Sequence, residues 1–271
     1  MPAHRASSSP VVTLNYRQYG DPTDAPVVLL HGLFGSAANW GSVARQLASE
    51  RYHVVVPDLR NHGQSPHDAE HSYPAMAADL EALLDRLGVG KAIVVGHSMG
   101  GKVAMHFALT SPDRVTALVV VDIAPVTYAH DFDSVLNAFE AVKLDEIDNR
   151  ADAATQMKRY IDAAGLRAFL MQNLVKQGGQ WRWRLNLKAL ADNSSAITGF
   201  PKASDTHQYL GPTLVIHGEA SDYVDASHHS RIRALFPQVK ISLVKDAGHW
   251  VYADQPAAFF TTLRAFLHSA V

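Results

Sequence analysis

Six apolar runs punctuate the chain: PVVLLHG (26–32), YHVVVPDL (52–59), KAIVVGHS (91–98), VTALVVVDIAP (115–125), PTLVIHGE (212–219) and VKISLVKDAG (239–248). They are short and mostly rich in β-branched residues, and turn formers bound them, which predicts fully buried strands. Segments of helical period lie between them. In MAADLEALLDRLG (76–88), Met76, Leu80, Leu83, Leu84 and Leu87 fall on one face and Gly88 stops the run, as in an amphipathic helix. Strands alternating with helices predict an α/β fold whose mostly parallel central sheet is flanked by helices.

The alternation is interrupted once. From 126 to 210 no comparable strand run occurs, only helix-like segments at 134–142, 151–161 and 166–174, followed by GGQWRWRLNLKAL. Such a stretch is too long for a structureless loop, so it predicts a helical cap, or lid, inserted into a core made of 1–125 and 211–271.

Composition narrows the class. At 271 residues, with 47% hydrophobic composition, the chain can bury one large core. A net charge of −2 gives no general pull toward nucleic acid or an anionic membrane. No apolar run reaches the length of about 18 residues that a membrane span needs, so no membrane insertion is expected. Zero cysteines exclude disulfides and thiolate chemistry and fit a reducing compartment, so a cytoplasmic location is expected.

Candidate chemistry starts at Gly96-His97-Ser98-Met99-Gly100. A lone G-x-S-x-G arises by chance about 0.1 times in a chain this long at glycine and serine frequencies near 7%. Here it sits between a strand run and a helical run, where a nucleophile elbow would expose the Ser98 hydroxyl on a sharp turn. A serine needs a base, and histidine suits neutral pH. Of fifteen histidines, His249 in DAGHW follows the last strand run, where the chain order serine, acid, histidine puts the base. His31 and His217 precede turn glycines, and His97 points away from its neighbour Ser98, so packing or hydrogen bonding is their expected role. The pair His228 and His229 lacks further ligands at metal-site spacing, so no metal is expected. An oxyanion would be bound by backbone N–H groups of Met99 and, from the loop HGLFGS (31–36), of Leu33, with Phe34 the adjacent candidate.

The stretches HGLFGS, DLRNHGQSPH (58–67), GHSMGGKVAM (96–105), DIAPVTY (122–128), SDYV (221–224) and DAGHWVYADQP (246–256) resemble the α/β-hydrolases of the YbfF type, small bacterial esterases with mitochondrial relatives. The resemblance implies the α/β-hydrolase fold and hydrolysis of a small-molecule carboxylic ester or acyl thioester through Ser98 and His249, without a cofactor. It also implies that the inserted segment, with Trp181 and Trp183, roofs the acyl pocket beside Phe34. Asn61 and His62 would shape a turn and take no catalytic role.

The acid is open to more than one reading. Many α/β-hydrolases carry it after the penultimate strand, yet Ser221 stands at that place and Asp222 comes one residue later. In the YbfF type it is the aspartate of DIAP, here Asp122. An aspartate closing a wholly apolar strand needs a partner, which favours Asp122, with Asp222 the alternative. The expected activity is therefore a serine hydrolase acting on short to medium acyl chains. Its rivals are a carbon–carbon bond hydrolase on the same fold and a ligand receptor that retains the triad. An acidic run, including Asp131, Asp133, Glu140 and Asp145, would disfavour polyanionic substrates if it rims the entrance.

Overall fold

The computed structural model describes residues 10–129, 132–202 and 207–270; Asp131 of the acidic run lies outside them. The core elements in chain order are β1 (Tyr16–Tyr19), β2 (Ala25–Leu30), α1 (Gly41–Ser49), β3 (Tyr52–Pro57), α2 (Tyr73–Arg86), β4 (Ala92–His97), α3 (Met99–Thr110) and β5 (Val115–Val121). After an intervening segment come β8 (Thr213–Gly218), α9 (His229–Leu235), β9 (Val239–Val244), α10 (Val251–Asp254) and α11 (Pro256–Ala270). These strands form one sheet in the order β1-β3-β2-β4-β5-β8-β9, with β1 antiparallel to β3 and all other pairings parallel.

The two-residue period of the strands divides their side chains between two cores. Val28, Leu30, Val94, Leu118 and Val120 face α2, α3 and α9, where they meet Leu80, Leu84, Val103, Phe107 and Ile232. Val27, Leu29, Val95, Val119 and Ile216 face α1 and α11, where they meet Leu47, Phe259, Leu263 and Leu267. All are buried, and burying each large side chain stabilises the fold by about 1.5–3 kcal/mol. Both faces are therefore covered along β2, β3, β4, β5 and β8, which is why those strands read as continuous apolar runs, whereas β9, at the edge of the sheet, is half exposed, with Lys240 and Leu243 facing outward, and is not the fully buried strand its run predicts. Among the described residues no helix is long and apolar enough to cross a membrane.

Between β5 and β8 lie α4 (Asp133–Glu140), α5 (Arg150–Met157), α6 (Ala164–Leu170), β6 (Leu174–Gln177), β7 (Gln180–Trp183), α7 (Leu187–Asp192) and α8 (Ser194–Thr198). They pack around a third apolar cluster that includes Leu136, Phe139, Met157, Leu170 and Leu190, together with Phe34 from the loop after β2. The antiparallel hairpin β6–β7 differs from the all-helical expectation. Its turn residues Gly178 and Gly179 both have positive φ, as a type I′ hairpin turn requires. The short edge strand β1, YRQY, is the other unforeseen element; its exposed polar residues give no apolar run.

The turn after β3 is built on buried polar groups. Arg60 and Asp79 of α2 are almost wholly buried and form a bidentate pair, Nε to Oδ2 at 2.6 Å and Nη2 to Oδ1 at 2.8 Å. Three histidines flank this turn as neutral rings. His31 donates from Nδ1 to Gly32 O and accepts the Leu59 N–H at Nε2, while His62 donates from Nδ1 to Arg60 O. His71 accepts the Asn61 amide at Nδ1. Burial holds all three below the usual histidine value of 6.5, His71 at about 3 with the Arg60 charge adding to the effect.

Two stability outcomes are expected. Asp79→Ala removes the bidentate partner of the buried Arg60 guanidinium, leaving it Asp68 at 3.7 Å and the carbonyls of Glu70 and Pro10, and should cost about 3–5 kcal/mol in urea unfolding; a loss under 1 kcal/mol would show that the pair contributes little. The unfolded chain takes up protons at His31, His62 and His71 near pH 6.5 and the native protein does not. Stability should therefore fall as pH drops below about 6.5, by up to about 1.4 kcal/mol per pH unit for each group. Equal unfolding free energies at pH 7.5 and pH 5 would contradict this.

Candidate active site

Ser98 stands between β4 and α3 with φ 52° and ψ −120°, a conformation a non-glycine residue adopts only under constraint. The constraint is visible on both sides. Its N–H donates to Val121 O at 3.0 Å, which extends the β4–β5 ladder, and its carbonyl accepts the Lys102 N–H of the first helical turn. The glycines two positions away permit the turn: a Cβ on Gly96 would overlap Gly100 O, and one on Gly100 would meet Leu30 O and His31 O. Among the described residues the Ser98 hydroxyl has no hydrogen-bond partner, and it faces a cavity of about 240 Å³.

Asp122 occupies the equivalent place one strand over. Its φ is 52°, its side chain is fully buried, and its N–H donates to Ile216 O on β8. The carboxylate collects three donors: Gly218 N on Oδ1 at 3.0 Å, and on Oδ2 both His249 Nδ1 at 2.7 Å and the Ser221 hydroxyl. The other carboxylates of this region go elsewhere. Glu219 accepts the Asp246 N–H, Asp225 caps the turn of Ser227 and His228, and Asp222 is exposed, its carboxylate unpaired among the described residues. Position in the sheet explains the difference, because β5 lies between β4 and β8. Ser221, at the place where many α/β-hydrolases carry the acid, instead binds the aspartate of the neighbouring strand.

His249 follows β9 and lies in the same cavity as Ser98. Because Nδ1 donates to Asp122, Nε2 is left as the basic nitrogen. Its ring stacks on Tyr223 at 4.1 Å and lies 4.6 Å from the ring of His97. His97 Nε2 donates to His249 O at 2.8 Å, and burial with the neighbouring His249 holds the His97 pKa well below 6.5. His97 is thus a hydrogen-bonding residue, as its orientation in the elbow implied.

Of the three backbone donors considered, Phe34 N–H is taken by His62 Nε2 at 3.2 Å. Met99 opens α3, where an N–H has no intrahelical acceptor, and Leu33 N–H has no acceptor among the described residues. Leu33 and Met99 line an inner recess of about 30 Å³ together with Ser98. Phe34 lines the larger cavity, whose walls also include Phe132, Val135, Leu166, Phe169 and Trp250.

Trp181 and Trp183 do not line this cavity. On the hairpin they share one face and pack against the third apolar cluster, Trp183 edge-on to Phe139 at 4.8 Å. The roof over Ser98 comes from α4 and α6 instead. An outer groove of about 1050 Å³ shares Asn39, Leu166, Phe169, Trp250 and Tyr252 with the cavity and is lined by Arg150 and Arg184, not by the described acidic run.

Lys102 gave no sequence signal, being embedded in an apolar helix. It is buried, and its ammonium donates to Val126 O, Thr198 O and Gly199 O at 2.9, 2.8 and 2.7 Å, under the ring of Tyr128. Burial pushes its pKa down to about 7. Among the described residues no group of three or more histidine or carboxylate side chains is placed to hold a metal ion.

Residues 25–256 match the alpha/beta hydrolase fold family. The chain is 45% identical over 255 residues to the sn-1-specific diacylglycerol lipase ABHD11 of Mus musculus, covering 92% of this chain and 82% of that protein. It is 37% identical over 246 residues to the esterase YbfF of Escherichia coli strain K12, covering 90% and 94%. A solved marine microorganism esterase superposes with a TM-score of 0.91 at 35% identity, over 94% of this chain and 99% of that one. The chain therefore belongs to the alpha/beta hydrolase fold family and is a hydrolytic enzyme.

Proposed function

We propose that the protein is a serine esterase that cleaves carboxylic esters or acyl thioesters through an acyl-enzyme, with Ser98 as nucleophile, His249 as base and Asp122 as acid. The observation that carries this reading is the 2.7 Å bond from Nδ1 of His249, which lines one cavity with Ser98, to the buried Asp122 behind it. Asp122 fixes the tautomer that leaves Nε2 basic and stabilises the imidazolium once it forms. Nε2 takes the Ser98 proton as Oγ bonds to the acyl carbon. It then returns the proton to the leaving oxygen or sulfur as that bond breaks, and water repeats the sequence to release the acid. Leu33 and Met99 N–H groups hold the oxyanion.

Segment 126–210 acts as the lid. A cavity of about 240 Å³ lies below the usual range of about 300–1000 Å³ for ligand pockets, which supports short to medium acyl chains. The relatives' activities, a diacylglycerol lipase and an esterase, point to the same ester class. Larger leaving groups extend into the outer groove.

Ser98→Ala should abolish turnover of p-nitrophenyl esters with little change in Tm, and a fluorophosphonate should label Ser98; activity within tenfold of the parent would sink the assignment. Asp122→Asn should lower kcat by about three to four orders of magnitude and Asp222→Asn far less. The reverse ranking would return the acid to the loop after β8. Rates over p-nitrophenyl esters of rising chain length should peak at short to medium chains and exceed those on emulsified triolein. Efficient triolein cleavage with interfacial activation would indicate a lipase.

A further inference from the structure

The loop after β2 makes a tight turn, closed by Gly35 N to Gly32 O at 3.0 Å, and its third residue is Phe34 with φ 61°. A positive φ at that position is normally filled by glycine or asparagine, and a bulky residue there is strained. The strained form persists because it is gripped at three points. The Phe34 N–H is held by His62 of the core. Its carbonyl accepts Asn173 Nδ2 at 2.8 Å, and its ring is buried against Phe139 and Phe132, with centroids 5.5 and 6.2 Å away. Two of those grips come from the inserted segment. Asn173 is itself 3% exposed, and its amide also donates to Leu170 O at 3.1 Å, so its position is fixed by its own segment.

We infer that Asn173 is a positioning residue through which the inserted segment keeps the oxyanion site assembled, by holding the Gly32–Gly35 turn in the form that aims the Leu33 N–H at the reacting carbonyl. The inference rests on the serine-esterase reading above. Leu33 immediately precedes Phe34, so relaxation of Phe34 toward negative φ rotates the peptide between them and re-aims the turn. Without the Asn173 amide, the Phe34 carbonyl is left buried and unpaired beside a strained φ, and both favour that relaxation. The ground-state ester makes little use of the donor, whereas the oxyanion depends on it.

The test compares Asn173→Ala with the parent on p-nitrophenyl butyrate and on a trifluoromethyl ketone, which forms an oxyanion-bearing adduct with the serine. The variant should lose about tenfold to a hundredfold in kcat with KM changed less than about threefold, and its affinity for the ketone should fall in proportion to kcat/KM. A folded variant with kcat within threefold of the parent, or with ketone affinity unchanged, overturns the inference. Glycine takes positive φ without strain, so Asn173→Ala placed on a Phe34→Gly background should cost less than about threefold. A cost of tenfold or more on that background would overturn it too, and that threshold, set against Phe34→Gly itself, needs no measurement of Asn173→Ala alone. Failure of the underlying reading is separable, because the parent itself would then neither bind the ketone tightly nor be labelled at Ser98.

Discussion

A carboxylate removed from water must be surrounded by donors or it destabilises the fold by several kcal/mol. Asp122, fully buried at the end of β5, imposes that demand on everything around it. Its donors come from three places: the end of β8, the turn after it, and the loop after β9, through Gly218, Ser221 and His249. The two loops that carry Ser221 and His249 are therefore drawn to one point by the need to satisfy one charge. The imidazole thus satisfies the buried charge while it lines the cavity beside Ser98.

Strain is gathered at the same edge of the sheet. Of the six described non-glycine residues with positive φ, Phe34, Asn61, Ser98, Asp122 and Asp246 lie just past the carboxyl ends of β2, β3, β4, β5 and β9. Parallel strands deliver their chains to that edge in one direction, and each chain must turn sharply to leave a cavity rather than fill it. The fold tolerates the cost because each strained residue is held by neighbours. Asn61, for instance, accepts the Asp68 N–H and the Asn186 amide on its side-chain oxygen and the Asn186 N–H on its carbonyl.

Legibility followed the range of the interactions. The six strand runs were readable from composition, five because both faces of the sheet are covered there and β9, half exposed at the sheet edge, from its apolar residues alone. The edge strand β1 and the hairpin β6–β7 were not, since half of each faces water and only alternation marks it; the Gly178-Gly179 pair between LVKQ and QWRW was the overlooked cue. The meeting of Ser98, His249 and Asp122 at one edge of the sheet was legible from local motif, chain order, a charge closing an apolar run and the YbfF-type resemblance. The roof was misplaced onto Trp181 and Trp183 because large aromatic residues suit a core as well as a pocket, and only the hairpin's facing decides between them. Asn173 and Lys102 act on partners 139 and up to 97 positions away, so nothing beside them in sequence announces a role.

The seam between the sheet and the inserted segment adds buried polar bonds to apolar contacts, such as Phe34 on Phe139, that would have sufficed for adhesion. Lys102 holds carbonyls at both ends of the segment, Tyr73 donates to Ile197 O, Asn186 grips Asn61, and Asn173 grips Phe34. Apolar surfaces can slide across one another at small cost, whereas a buried donor shifted by an ångström or two loses its acceptor without gaining water. The segment is accordingly fixed in register as well as in contact. Lys102 lies one helical turn beyond Ser98 on α3, so the helix that places the serine also anchors the inserted segment near where it leaves and rejoins the core.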